Sequence, residues 1–158
     1  MDTLIEGLEN NEDIASQRLQ EILDKNRDKR IVVLGTTCTG KSTLTRKISN
    51  ARDMDEEVFP LLTKEEADYV CQTPWTPEIG ETMERLVREK VKAEAGKPLF
   101  GTVLVDCDLV IYLKISDELL RQRTVLRNSS LEDAKNMQKA IEEEIQNSDV
   151  SAIEFAVG

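Results

Sequence analysis

The chain contains no histidine. That absence removes histidine acid–base catalysis, Ser-His-Asp triads and most zinc sites. Any chemistry must come from lysine, arginine, a carboxylate, a hydroxyl or a bound metal. Cysteine is scarce: Cys38, Cys71 and Cys107 form an odd set in no ligand spacing. They read as reduced thiols of a cytosolic protein, not as a disulfide framework. Long apolar runs are missing too, so no stretch is expected to span a membrane. The opening MDTLIEGLENNED has neither the basic start nor the apolar run of a signal peptide, and a cytoplasmic location is the expectation. Positive charge is in deficit, with 21 Lys+Arg against 31 Asp+Glu and a net charge of −10. Such a chain repels nucleic-acid backbones and anionic membrane surfaces, and neither is expected as a partner. Internal repeats and low-complexity segments are absent as well.

What is present suits one domain with a real core: 158 residues, 39% apolar and 33% charged. Residues 2–28 read as helix in one or two pieces. Leu4 and Leu8 share one stripe, and Ala15, Leu19, Ile22 and Leu23 form a second. This segment reads as an N-terminal extension packed on a domain of residues 29–158, with a dimerisation or partner helix as the alternative. Residues 30–34 (RIVVL) form a short apolar run of the kind that makes a buried parallel strand.

That strand opens onto GTTCTGKST, residues 35–43. The spacing G-x-x-x-x-G-K-[ST] places Gly35, Gly40, Lys41 and Ser42 at fixed positions, and residues 41–49 read as the next helix. Glycines let the backbone wrap anionic oxygens with its N–H groups pointing inward at a helix N-terminus. Lys41 would reach the β- and γ-phosphates of a nucleotide, Ser42 would ligate Mg²⁺, and Thr43 would add a hydroxyl to the α-phosphate. Thr36, Thr37, Cys38 and Thr39 complete the expected nucleotide loop. The dipoles around Cys38 can also lower its thiol pKa, a route to oxidation; a tolerated variable position is the plainer reading.

Downstream, residues 54–62 are ambiguous, and residues 63–69 read as a short helix capped by Thr63 with Glu66 answering. TPWTPE reads as a proline-bounded turn around Trp75. Residues 80–95 read as a helix, PLFG as a strand, and LVIYLKI as the clearest core strand. VLVD, ending at Asp106, has the form of a metal-binding strand end. Only two residues separate it from LVIYL, however, too few for a helical crossover. Asp106 therefore reads as a turn residue, with Mg²⁺ ligation as the alternative, and Asp108 as a brace. Residues 117–128 read as helix, Ser129 with Glu132 as a capping box opening another, and residues 153–157 as a last strand. Alternating helices and parallel strands predict a three-layer αβα sandwich.

With these parts in order, the chain resembles the small P-loop kinases, nucleoside monophosphate kinases and shikimate kinase among them, over about residues 30–157. The resemblance implies a P-loop NTPase fold of nucleotide-kinase type with an extra N-terminal helix. It also implies ATP as phosphoryl donor, Mg²⁺ as cofactor and a small hydroxyl or phosphate compound as acceptor. In DMD, Asp53 would hold Mg²⁺ through water and Asp55 would orient or deprotonate the acceptor; a solvated acidic turn is the other reading. Gly80, Glu81 and Arg85 match a Gly-Glu…Arg arrangement whose arginine clamps a substrate carboxylate. Arg88 stands where that family has an acid, so its substrate does not carry over; Arg85 and Arg88 read either as a cationic patch for a carboxylate or phosphate or as partners of Glu81, Glu84 and Glu89 on a solvated face. Arg123 and Arg127, four apart, resemble the lid arginines that pack on adenine and contact phosphates, and Arg121 is a nearby third candidate.

The implied acceptor site lies near Asp55, Trp75 and Arg85. Two features depart from the pattern. Only NSS separates Arg127 from the next helix, where larger members have a lid. The chain also ends at Gly158, where these kinases carry a base-binding loop and a further helix. Either departure leaves open a nucleotide-binding regulatory protein with weak or no turnover. A GTPase is disfavoured, since the only string close to a guanine motif, residues 24–27, precedes the loop.

Overall fold

The computed structural model describes residues 2–74 and 76–157, with side chains from residue 14 onward except that of Ser42. The order is α1 (Asp2–Lys25), β1 (Ile31–Leu34), α2 (Lys41–Lys47), β2 (Arg52–Asp53), α3 (Met54–Val58), a 3-10 turn (Phe59–Leu61), α4 (Lys64–Val70), α5 (Pro77–Lys90), β3 (Leu99–Gly101), β4 (Leu109–Lys114), α6 (Asp117–Leu126), α7 (Leu131–Asn147) and β5 (Ser151–Ala156). The five strands form one sheet in the order β2-β3-β1-β4-β5, and every pairing is parallel.

Strand side chains alternate between two apolar layers, as a period of two requires. Ile31 and Val33 of β1, with Leu109, Ile111 and Leu113 of β4, pack against Leu19 and Leu23 of α1 and Leu44 of α2. Val32 and Leu34, with Val110 and Tyr112, pack against Leu86 and Val87 of α5 and Ile141 of α7. Helices thus cover both faces, which is why β1 and β4 read as unbroken apolar runs. The second half of α1 supplies Leu19 and Leu23 to this core, while Leu4 and Leu8 lie outside the described side chains.

The link from β3 to β4 is residues 102–108, without a helix. Both strands are parallel and both pair with β1, one on each side, so this link must cross β1. Extended chain covers about 3.3 Å per residue, enough to return along a short strand and step over one neighbour. Val103 and Val105 are buried in the α5–α7 layer, taking the place of a crossover helix. The compact, helix-free connection between PLFG and LVIYLKI read from the sequence is thus present, and β1 lying between the two strands is what allows it to be so short.

Helix boundaries differ from the sequence reading at several places, the end of α5 at Lys90 among them. Helix α5 starts at Pro77, with Thr76 accepting the Ile79 N–H as N-cap, because proline is well suited to a first helical position. The capping box expected at Ser129 is absent: Ser130 caps α7 through the Asp133 N–H. Ser129 instead finishes α6. Its N–H donates to Thr124 O at 2.8 Å, and Asn128 donates to Val125 O at 3.1 Å with φ of 52°, a Schellman closure. The box at Thr63 and Glu66 is formed at α4. No described helix is long and apolar enough to cross a membrane.

Candidate phosphate-binding site

The loop of residues 35–40 leaves the carboxyl end of β1 and feeds directly into α2. Chain connections depart to one side of β1 towards β2 and β3, then to the other towards β4 and β5. Ligand crevices in open parallel sheets form outside the carboxyl ends at such a reversal. Gly35 N–H donates to Gly101 O at 3.3 Å, fixing the loop to the end of β3. Gly40 is the N-cap of α2 with φ of 94°, a conformation that favours glycine. Cys38 adopts φ of 67° without being glycine, and its side chain is buried with Ile115, Leu120 and Ala134.

Lys41 folds along the loop. Its Nζ donates to Gly35 O and to Thr36 O at 2.7 Å. Burial pushes its pKa down to about 8, against the opposing pull of Asp55 and Asp53; the charge of Arg127 lowers it further. Asp55 is raised above the usual carboxylate range by burial and by the charge of Asp53, with Lys41 opposing. Lys41 therefore feels the charges of Asp55, Asp53 and Arg127, and Asp55 those of Asp53 and Lys41, at one end of the sheet.

The DMD segment reaches this place because β2 ends at Asp53 and α3 begins at once. Asp53 Oδ1 accepts the N–H groups of Asp55 (2.9 Å) and Glu56 (3.1 Å), so Asp53 is a helix cap. Met54, buried in the core layer, pins the helix, while Asp55 sits one position round it on the solvent side.

Helix α6 brings the arginines. Arg123 Nη1 donates to Thr39 O at 2.8 Å and Cys38 O at 3.3 Å. A loop whose N–H groups converge inward must turn carbonyls outward, and Arg123 satisfies two of them. Arg127 lies one helical turn on, at the C-cap of α6. Arg121 falls about 200° round the helix from Arg123, away from the face by which Arg123 holds the loop carbonyls. A contact no sequence pattern signalled also fastens the loop: buried Thr36 donates its hydroxyl to Ala134 O on α7.

The remaining candidates are placed elsewhere. Arg85 is an exposed residue of α5 paired with Glu89 at 3.3 Å. Arg88 donates to Leu104 O at 3.1 Å and Glu144 at 2.9 Å, bracing α5 against α7 and the 102–108 link. Trp75 lies outside the described residues. Asp106 is not at the site. It pairs with Arg30 at 3.1 Å, and Asp108 accepts the Arg30 N–H at 2.8 Å. Arg30 precedes β1, so both acids belong to the amino end of the sheet, opposite the loop. Arg30 holds Asp108 below the ordinary carboxylate range. Asp106 is thereby placed away from residues 35–42, against the alternative of Mg²⁺ ligation beside them. Strand β3 itself ends at Gly101, with Thr102 next in the chain, so the carboxylates whose charge acts on Lys41 come from the β2–α3 junction.

A scan against protein-family models and a search of curated proteins found no match.

Proposed function

We propose that this chain is an ATP-binding P-loop protein of nucleotide-kinase type that transfers the γ-phosphoryl group to a small-molecule acceptor. The observation that carries the reading is the convergence of Lys41, Arg127, Asp53 and Asp55 at the carboxyl end of the sheet, around residues 35–42. Phosphoryl transfer depends mainly on positioning and on fixed positive charge around the migrating group. Lys41 and Arg127 supply that charge. Arg123 acts one step back, holding the loop carbonyls so that the N–H groups stay turned to the phosphates. Asp55 takes the acceptor proton, and its raised pKa brings it closer to the range useful to a general base.

The donor set fits Mg²⁺ of the kind carried by a nucleotide. Among the described residues no three His, Cys, Asp or Glu side chains converge into a metal cage. Mg²⁺ bound with substrate phosphates needs only one or two protein oxygens and keeps several waters. Asp53 uses only Oδ1 in its cap; its other oxygen and the Ser42 hydroxyl would hold the ion. When bound, Mg²⁺ neutralises charge on the β- and γ-phosphate oxygens.

A second reading, nucleotide binding with little turnover, draws support from the α6–α7 hairpin. Its turn is only residues 127–130, and Thr36 and Arg123 tie it to the loop. A hairpin so fastened has little scope to close over substrate and exclude water. ADP release with Mg·ATP, with and without a panel of small alcohols, separates the two. Acceptor-stimulated release that is abolished in Lys41→Ala supports transfer. ATP binding without stimulated release supports the second reading.

A further inference from the structure

The acceptor side of this site is acidic, and the cations that sequence alone assigned to it are engaged elsewhere. Resting on the phosphotransferase reading, we infer that the acceptor is an alcohol carrying no net negative charge, neutral or amine-bearing, and not a carboxylate or phosphate compound.

Three placements lead there. First, the acids nearest the loop are Asp53 and Asp55, both on the β2–α3 junction where an acceptor must approach Lys41. Carboxylates there oppose an anionic group brought up beside them. Second, α5 runs against the strand direction. It ends at Lys90, and the chain then passes Ala95, which bridges Arg30 at the amino end of β1. Arg85 reaches Glu89, one turn nearer that amino end, and so leans away from the phosphate loop. Third, Arg88 is held by Leu104 O, Glu144 and Glu84. Neither arginine of α5 is placed to clamp an anionic acceptor. Lys41 and Arg127 are required by the donor phosphates, and Arg123 by the loop carbonyls.

The chemistry follows. The acceptor hydroxyl oxygen attacks the γ-phosphorus of ATP and forms the new P–O bond. The bond from the γ-phosphorus to the β–γ bridging oxygen breaks, ADP leaves with that electron pair, and the hydroxyl proton passes to the Asp55 carboxylate. A protonated amine on the acceptor would be drawn to Asp55.

The test is amide NMR on the whole chain with Mg²⁺ and a non-hydrolysable ATP analogue, titrated with matched probes. These are cytidine against cytidine monophosphate, and glucose and glucosamine against glucuronate. The analogue alone should move the amides of residues 35–42; if it does not, the nucleotide reading itself falls. The neutral and amine-bearing probes should then shift the amides of Asp55 and Glu56, at least about tenfold more tightly than the anionic ones. Asp55→Asn, which leaves the proposed Mg²⁺ ligand Asp53 in place, should narrow that gap, read at the Glu56 amide. Tighter binding of the anionic probes, weakened in Arg85→Ala, overturns the inference alone. So does the absence of any shift at Asp55 with every probe while the analogue binds.

Discussion

Gly101→Ala tests whether α3, and with it Asp55, is seated on the sheet as described. A Cβ at Gly101 would overlap Met54 Sδ and would lie 2.7 Å from its Cγ and 2.9 Å from its Cβ. The thioether end can swing away, but Met54 Cβ is tied to the first turn of α3, and Met54 is only 1% exposed. Restoring ordinary contact moves that turn by roughly half an ångström. Overpacking of this kind costs about 1–3 kcal/mol. Met54→Ala alone leaves a cavity and costs about 2–4 kcal/mol. The double variant relieves the overlap with Sδ and Cγ, so its cost should fall short of the sum by at least about 1 kcal/mol. Urea unfolding of all four proteins gives the cycle. Additivity within about 0.4 kcal/mol would mean that Met54 does not lie on Gly101, and the placement of Asp55 beside Lys41 would lose its anchor.

Lys41 gives a pH signature. Its folded pKa, about 8, lies below that of the free side chain, so between about 8 and the ordinary lysine value the unfolded chain binds more protons. Stability should rise with pH across that window and lose this contribution as pH falls through about 8; Lys41→Met should flatten the rise in urea midpoints. Nucleotide affinity should run the other way, falling as pH is raised through about 8, because the phosphates need the ammonium; calorimetry reads this. Cys38→Gly should be more stable than Cys38→Ala by about 1 kcal/mol, since both lose the thiol and only glycine relieves the left-handed φ; thermal unfolding decides it. Asp106→Asn should leave ATP turnover unchanged, while Asp53→Asn should lower it at least tenfold and raise the Mg²⁺ concentration required, as measured by ADP release.

Much of the site was legible because local rules place it. An apolar strand, a glycine loop and a helix follow within residues 31–47, and the phosphate-loop spacing marks them. The box at Thr63 and Glu66 was equally local. What escaped depends on distant partners. Strand β2 is two residues long and owes its existence to β3, so no periodicity announces it. The 102–108 link was legible as a compact connection, but not that β1 lies between the strands it joins. Pairing of Arg85 with Glu89 and of Arg88 with Glu84 was open to a reading of helical spacing, but Glu144, on α7, was not. Thr36 was singled out as a loop residue, but its bond to Ala134 spans 98 positions and leaves no mark in sequence. The start of α5 was readable and missed: Thr76 followed by Pro77 is a helix-opening pair.

The most direct test of the central claim is equilibrium binding of Mg·ATP by the intact chain, compared with Lys41→Ala by calorimetry. The account predicts saturable binding that Lys41→Ala weakens at least about tenfold, a loss of about 1.4 kcal/mol or more, with the variant still folded. Equal affinity in the two proteins, or no binding by either while both are folded, would contradict it.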